Sequence, residues 1–295
     1  MDPLETLKPE TDSSLVLIAE SIDRGYATYI FEPKDLFYAS GKVLAKIKRF
    51  YKDKVLDYET HDLSEFKMIF IRQNPPFNMH YITTTYLLEK ISHQVTIINN
   101  PSSIRDNPEK LFCLDFEKYV PKTCITEDFM VAMDFVGKFE RAVIKPLYAC
   151  GGNDVSLVNK QNLKETFYSL IKKYEDKIII QEFIPDVKHG DKRVLLVNGN
   201  PIATVLRKPQ EGSFIANLTQ GGTAERTNLN SKELELCNQV GARLKQKNIV
   251  FAGLDLIGGY LTEINITSPT MIISANNFYD MKIEKLIFDE LENNS

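Results

Sequence analysis

The sequence predicts an α/β chain in two parts, and three observations carry that expectation. Strand-like runs alternate with helix-period segments up to about residue 106, the pattern of a parallel α/β sheet. Beyond it, the turn signals Asn198-Gly199 and Gly258-Gly259 each separate two apolar runs and read as hairpins. At 295 residues the chain is also too large for one small core and suits two or three structural units.

Asp12-Ser13-Ser14 starts a helix, Leu15, Ile18, Ala19 and Ile22 recur at helical spacing, and Gly25 stops it. Tyr26 to Phe31 reads as a strand, and so does Met68 to Ile71, ahead of Pro75-Pro76. Tyr81 to Ile91 is helical and Val95 to Ile98 is a short buried strand, after which the turn-rich Asn99 to Ser103 is either a boundary or a plain loop. Asn107 to Tyr119 is expected to be helical. Arg141 to Leu147 is a strand stopped at Pro146, followed by a small-residue loop, Tyr148 to Gly152, and the strand Val155 to Val158. Leu163 to Tyr174 is a helix, and Lys177 to Phe183 a strongly apolar strand. Lys192 to Leu206 is the clearest hairpin, because Asn-Gly fits a type I′ turn. Residues 208–230 hold three glycines and little periodicity, and loops of that length are commonly lids or disordered. Leu234, Cys237, Gly241 and Leu244 mark one face of a helix starting near Ser231, and Val250 to Asn265 forms the second hairpin.

Composition narrows the function. The net charge is −4 and the basic residues are dispersed, which argues against a nucleic-acid partner. No apolar run is long enough to span a bilayer, and Met1-Asp-Pro-Leu-Glu has no signal-peptide character, so a cytoplasmic protein without a membrane partner is expected. Cys113, Cys124, Cys150 and Cys237 are widely spaced and read as reduced thiols, and His61, His80, His93 and His189 show no metal-ligand spacing.

The chemistry-bearing residues lie in the second half. Side chains alternate along a strand, so Glu263 and Asn265 share a face, and the Gly258-Gly259 turn can bring Asp255 opposite them. Two carboxylates and an amide oxygen suit Mg²⁺ (or Mn²⁺) alongside substrate phosphates; the alternative is a half-exposed hairpin with polar residues on its wet face. Lys145 precedes the loop carrying Gly151-Gly152, a strand ends in Gln181-Glu182-Phe183-Ile184, and Asp191 and Arg193 open the first hairpin. Each is weak alone; together they supply cations, a backbone edge and carboxylates of the kind a nucleoside triphosphate needs.

At this point the sequence resembles a known family. Met1-Asp2-Pro3, Arg24-Gly25-Tyr26, Arg72-x-x-Pro75-Pro76-Phe77, Glu109-Lys110-Leu111-Phe112, Lys145-Pro146-Leu147, Gly190-Asp191-Lys192-Arg193 and Leu261-Thr262-Glu263-Ile264-Asn265-x-Thr267-Ser268-Pro269-Thr270 occur in the order found in prokaryotic-type glutathione synthetases of the ATP-grasp superfamily. The resemblance implies an N-terminal parallel α/β pre-ATP-grasp domain, residues 1–106, that helps bind substrate. A two-lobed α+β ATP-grasp domain would follow, 107–295, with a nucleotide lid lobe to about 180 and a catalytic lobe from 181. It implies an ATP-dependent ligase joining γ-glutamylcysteine to glycine through an acyl phosphate, and a homo-oligomer. Lys110 and Lys145 would contact the ATP phosphates under the glycine loop, Gln181 to Ile184 would form the adenine-side hinge, and Asp255, Glu263 and Asn265 would organise Mg²⁺, with Asp191 near the nucleotide. Arg193 and Arg72 would serve the peptide and its reacting carboxylate.

The chain departs from the family pattern in places. Where the family loop typically reads Lys-Pro-Leu-Asp-Gly-x-Gly-Gly, this chain has Tyr148 and Ala149, which add bulk and restrict positive φ. Ile215 and Thr223 stand where arginines are usual. The family also has a strand before Met-Asp-Pro, so an open slot beside the N-terminal sheet is expected. These departures predict weakened or altered peptide recognition on an intact nucleotide core. They leave another ATP-grasp carboxylate-amine ligase, or a catalytically weak ATP-binding homologue, as alternatives.

Overall fold

The computed structural model describes residues 1–51, 54–210 and 221–293. Its first α-helix, α1 (Ser13–Asp23), is capped by Asp12, whose carboxylate accepts from the Ser14 and Leu15 amides. Next come β1 (Thr28–Ile30), β2 (Leu36–Ala39), β3 (Lys42–Tyr51) and β4 (Lys54–Asp62), an antiparallel sheet in which β3 pairs with the other three strands. Parallel pairing in the N-terminal part, among the described residues, is confined to β5 (Met68–Phe70) and β6 (Thr96–Ile98), which flank α2 (Met79–Glu89). The antiparallel meander follows from Val43, Ala45 and Ile47, which alternate inward onto the core under α2.

Asn99, between β6 and α3 (Pro101–Asp106), is a joint. Its buried amide donates to the Phe251 and Ile266 carbonyls, both at 2.7 Å, and accepts from the Val250 and Phe251 amides at 2.9 and 3.0 Å. The helix expected over Asn107 to Tyr119 is shorter than that: a 3-10 helix, Phe112–Tyr119, broken at Phe116. Pro108 lies ahead of it, and the Glu109 carbonyl is taken by the Ile264 amide, so this stretch runs along a strand edge.

The next lobe holds β7 (Thr123–Thr126), α4 (Phe129–Val136), β8 (Ala142–Pro146), β9 (Ser156–Val158), α5 (Leu163–Tyr174) and β10 (Ile178–Glu182). Its antiparallel sheet has the order β7-β10-β8-β9, with α4 and α5 closing a core around Ile144, Phe167 and Ile180.

The last lobe comprises β11 (Asp191–Val197), β12 (Asn200–Lys208), β13 (Thr223–Arg226), α6 (Ser231–Gln246), β14 (Phe251–Ile257), β15 (Tyr260–Asn265), α7 (Ile272–Tyr279) and α8 (Ile283–Asn293). The sheet order is β13-β12-β11-β14-β15, antiparallel throughout. Asn198 and Gly199 both take positive φ, 44° and 68°, as a type I′ turn requires. One face packs on α6 through Val194, Leu196, Leu254 and Leu256, and the other on α7 and α8 through Leu195, Val197, Val205 and Phe251. The buried stripe of α6 is Leu236, Cys237, Val240, Gly241 and Leu244; Leu234 faces out, because buried Glu233 turns inward to Lys192 and the Asn230 cap.

Asn99→Ala strands two amides and two carbonyls in the interior. Stability should fall by at least about 3 kcal/mol, read as a lower urea midpoint, and Asn99→Asp should not restore it because a carboxylate cannot donate to Phe251 and Ile266.

Candidate active site

Alternation places charge where the α7/α8 face of the last sheet runs out of helix to cover it. Asp191 and Arg193 continue the row of Leu195 and Val197, Arg207 continues that of Ala203 and Val205, and Asp255 that of Phe251. On β15, Glu263 lies opposite Asp255 and Asn265 opposite Gly253, so the three oxygen-donor residues read from the hairpin share one floor. Asn265 Nδ2 is 3.3 Å from Asp255 Oδ2.

Two arginines bind this floor together. Arg193 donates to both Asp255 oxygens at 2.5 and 2.9 Å, and Arg207 grips Asp191 at 2.7 and 2.6 Å while reaching Asp255 at 3.0 Å. Burial alone would raise the Asp255 carboxyl, but Arg193 and Arg207 hold it well below the usual carboxylate range. Gly253 is needed beside them, since a Cβ there would stand 3.0 Å from Arg193 Cδ. Arg207 was not read from the sequence; its signal was the inward parity with Ala203 and Val205.

Above the floor, Lys110 Nζ lies 3.1 Å from Glu263 and donates to the Ala149 carbonyl at 2.5 Å. Burial, then the neighbouring Lys110 charge, pulls the Lys145 ammonium below its ordinary value. In the loop between them Gly151 and Gly152 take positive φ, 72° and 76°, and Ala149 does not, so the alanine brings no backbone strain. Tyr148 stacks on Phe77, with ring centroids 6.1 Å apart and an angle of 25°, and its carbonyl accepts from the Phe77 amide at 3.4 Å. The loop is thus anchored to the N-terminal part.

These groups line a cleft of about 660 Å³ between the lobes. It brings together Lys110, Lys145, Gly151 and Gly152; Gln181, Glu182, Phe183 and Ile184, expected as a hinge; and Asp191, Arg193, Arg207, Asp255, Glu263 and Asn265. Arg72, expected beside them, is not part of this lining. Its Nε donates to Ser14 Oγ at 3.1 Å, burial pulls its pKa down to about 10, and it ends a separate apolar cavity of about 170 Å³ between β1 and β5. Ile215 lies outside the described residues, and Thr223 is exposed on β13, paired with Lys208.

A model of the prokaryotic glutathione synthetase N-terminal domain matches residues 1–105, and one of the prokaryotic glutathione synthetase ATP-grasp domain matches 109–280. A glutathione synthetase of Anaplasma centrale is 38% identical over 95% of this chain and 92% of its own, and one of Agrobacterium fabrum 35% identical over 99% and 94%. The chain belongs to the prokaryotic glutathione synthetase family. The ATP-grasp fold is shared with the solved ligase PsnB in complex with a precursor variant, Mg and ADP (TM-score 0.66, 13% identity, covering 95% of this chain and 94% of that one). Like other ATP-grasp ligases, a glutathione synthetase uses ATP. No helix among the described residues is long and apolar enough to cross a membrane.

Two outcomes follow from the Lys145 and Tyr148 contacts. A phosphate beside Lys145 raises its pKa again, so ATP binding takes up protons at pH values between the lowered and the raised Lys145 pKa, and affinity weakens as pH rises across that interval. Calorimetry in buffers of different ionisation enthalpy should show this uptake, and Lys145→Gln should lack it. Tyr148→Phe should keep the ATP KM, whereas Tyr148→Ala should raise it about three- to tenfold by releasing the loop, in steady-state assays.

Proposed function

We propose that the protein is a glutathione synthase, ligating γ-glutamylcysteine to glycine with ATP and releasing ADP and phosphate. The observation that carries this reading is the Arg193–Asp255–Arg207–Asp191 network at the polar end of the sheet, beside Lys110 and Lys145. The cysteinyl carboxylate of the dipeptide attacks the γ-phosphoryl group and ADP leaves. The glycine amine then attacks the acyl carbon, expelling phosphate and losing a proton.

Lys110 and Lys145 hold the phosphates, and the backbone of Gln181 to Ile184 supplies the edge that faces the purine. Arg193 and Arg207 lie where charge gathers on the transferring phosphoryl group and the acyl oxygen, already oriented by their carboxylates, so little reorganisation is needed. Asp191 orients Arg207. Asp255, Glu263 and Asn265 carry the hard oxygen donors a divalent cation takes, two carboxylates opposite one another on neighbouring strands and an amide, and a cation there would share Asp255 with Arg193 and Arg207 and Glu263 with Lys110. Mg²⁺ held there would supply charge neutralisation for the triphosphate.

A coupled ADP-release assay should show turnover only when γ-glutamylcysteine, glycine and ATP are all present, and chelation of divalent cations should abolish it. Arg207→Lys keeps a charge but loses the planar fork between Asp191 and Asp255. It should lower kcat about 100-fold or more, and absence of that loss would remove Arg207 from the mechanism.

A further inference from the structure

The carboxylates lining the cleft are Asp2, Glu109, Glu182, Asp191, Asp255 and Glu263, and their partners differ. Asp191 and Asp255 are neutralised by arginines and Glu263 by Lys110. Glu109 turns away to the Ile266 and Thr267 amides and the Thr267 hydroxyl. Glu182 sits on the hinge. Asp2 is held by neutral groups: Asn74 donates its backbone amide to Oδ1 at 3.2 Å and its side-chain amide to Oδ2 at 2.5 Å. Ser268 Oγ donates in turn to Asn74 Oδ1, tying the trio to the segment that follows β15. Arg72 and the Met1 amine act on Asp2 through space, without an ion pair among the described residues.

A carboxylate aimed by two amides and lacking a paired cation is a receptor for one. Resting on the glutathione synthase reading, we infer that Asp2, positioned by Asn74 and Ser268, binds the α-ammonium of the γ-glutamyl end of the dipeptide. The cations of the cleft gather where the cysteinyl carboxylate reacts, and the glutamyl ammonium is the positive group at the far end of the same molecule. The glycine amine is not the partner, since it must reach the acyl phosphate unprotonated to attack.

Kinetics of the full chain with γ-glutamylcysteine and with glutarylcysteine, the same skeleton without the amine, test this at saturating ATP and glycine. Wild type should favour γ-glutamylcysteine in kcat/KM by about 10- to 100-fold, the range of a charge-assisted hydrogen bond. Asp2→Asn should erase that preference by raising the γ-glutamylcysteine KM, leave the KM for ATP unchanged and still turn over glutarylcysteine, which certifies its fold. Asp2→Glu should recover part of the preference. Asn74→Ala, which lets the carboxylate swing, should lose part of it. Equal losses on both dipeptides would mark Asp2 as structural, and an undiminished preference in Asp2→Asn would equally overturn the inference. A wild-type protein that turns over neither dipeptide overturns the enzyme reading itself, a result distinguishable from either.

Discussion

The pairing of two arginines with two aspartates on one buried sheet face constrains everything around it. Arg193, Arg207 and Asp255 are 5, 7 and 5% exposed, so each charge is tolerable only while its partners stay in place. Loss of one member of such a set costs on the order of 3–5 kcal/mol, because the remaining charge is left buried and alone. The network therefore pins the register of β11 against both β12 and β14: a slip of one residue would turn Arg193 onto the α6 face and strip Asp255 of its two-point partner. It also keeps both guanidinium planes oriented before any ligand arrives, the condition under which charged groups stabilise a transition state without reorganising.

The rest of the molecule delivers groups to that fixed end. Glu109 docks its carboxylate on the Ile266 and Thr267 amides and its carbonyl on the Ile264 amide, and this double attachment to β15 and the segment just past it is what carries the adjacent Lys110 to Glu263. Burial, then the charge of Glu263, raises the Glu109 carboxyl above its usual value, and the Thr267 hydrogen bonds oppose that rise. Asn99 secures the N-terminal part to both strands of the same hairpin, through Phe251 at the start of β14 and Ile266 just past β15. The walls of the cleft are thus referenced to one hairpin from separate directions.

The sequence made that hairpin legible because its signals are local: a Gly-Gly turn, period-two alternation, and oxygen donors at matching distances from the turn. Arg207 was not legible as a site residue, since a basic side chain near a strand end resembles a solvated one until the partners on β11 and β14 are in register. Between Leu36 and Asp62 the inward Val43, Ala45 and Ile47 are separated by Leu44 and Lys46, and the apolar Leu44 on the other face blurs the apolar–polar alternation that marks a half-buried strand. Arg72 shows the opposite limit. A motif identifies the residue, but its direction depends on packing between α1 and β5, and here the guanidinium turns toward Ser14.

The loop after Lys145 is held by its backbone and by an aromatic anchor. Gly151, Gly152 and Asp154 take positive φ and Ala149 does not, so no glycine is required at position 149 for the backbone path the chain follows here. What Tyr148 adds is an anchor: its ring lies on Phe77, which also packs on Tyr81 with ring centroids 5.1 Å apart, while the Ala149 carbonyl accepts from Lys110. A flexible glycine loop pays conformational entropy each time it closes; one held by an aromatic stack and a lysine has lost much of that freedom before ATP arrives. The same stack joins the Lys145 loop to the Asn74–Phe77 segment, whose Asn74 holds Asp2, so two separate parts of the cleft wall share one mechanical connection.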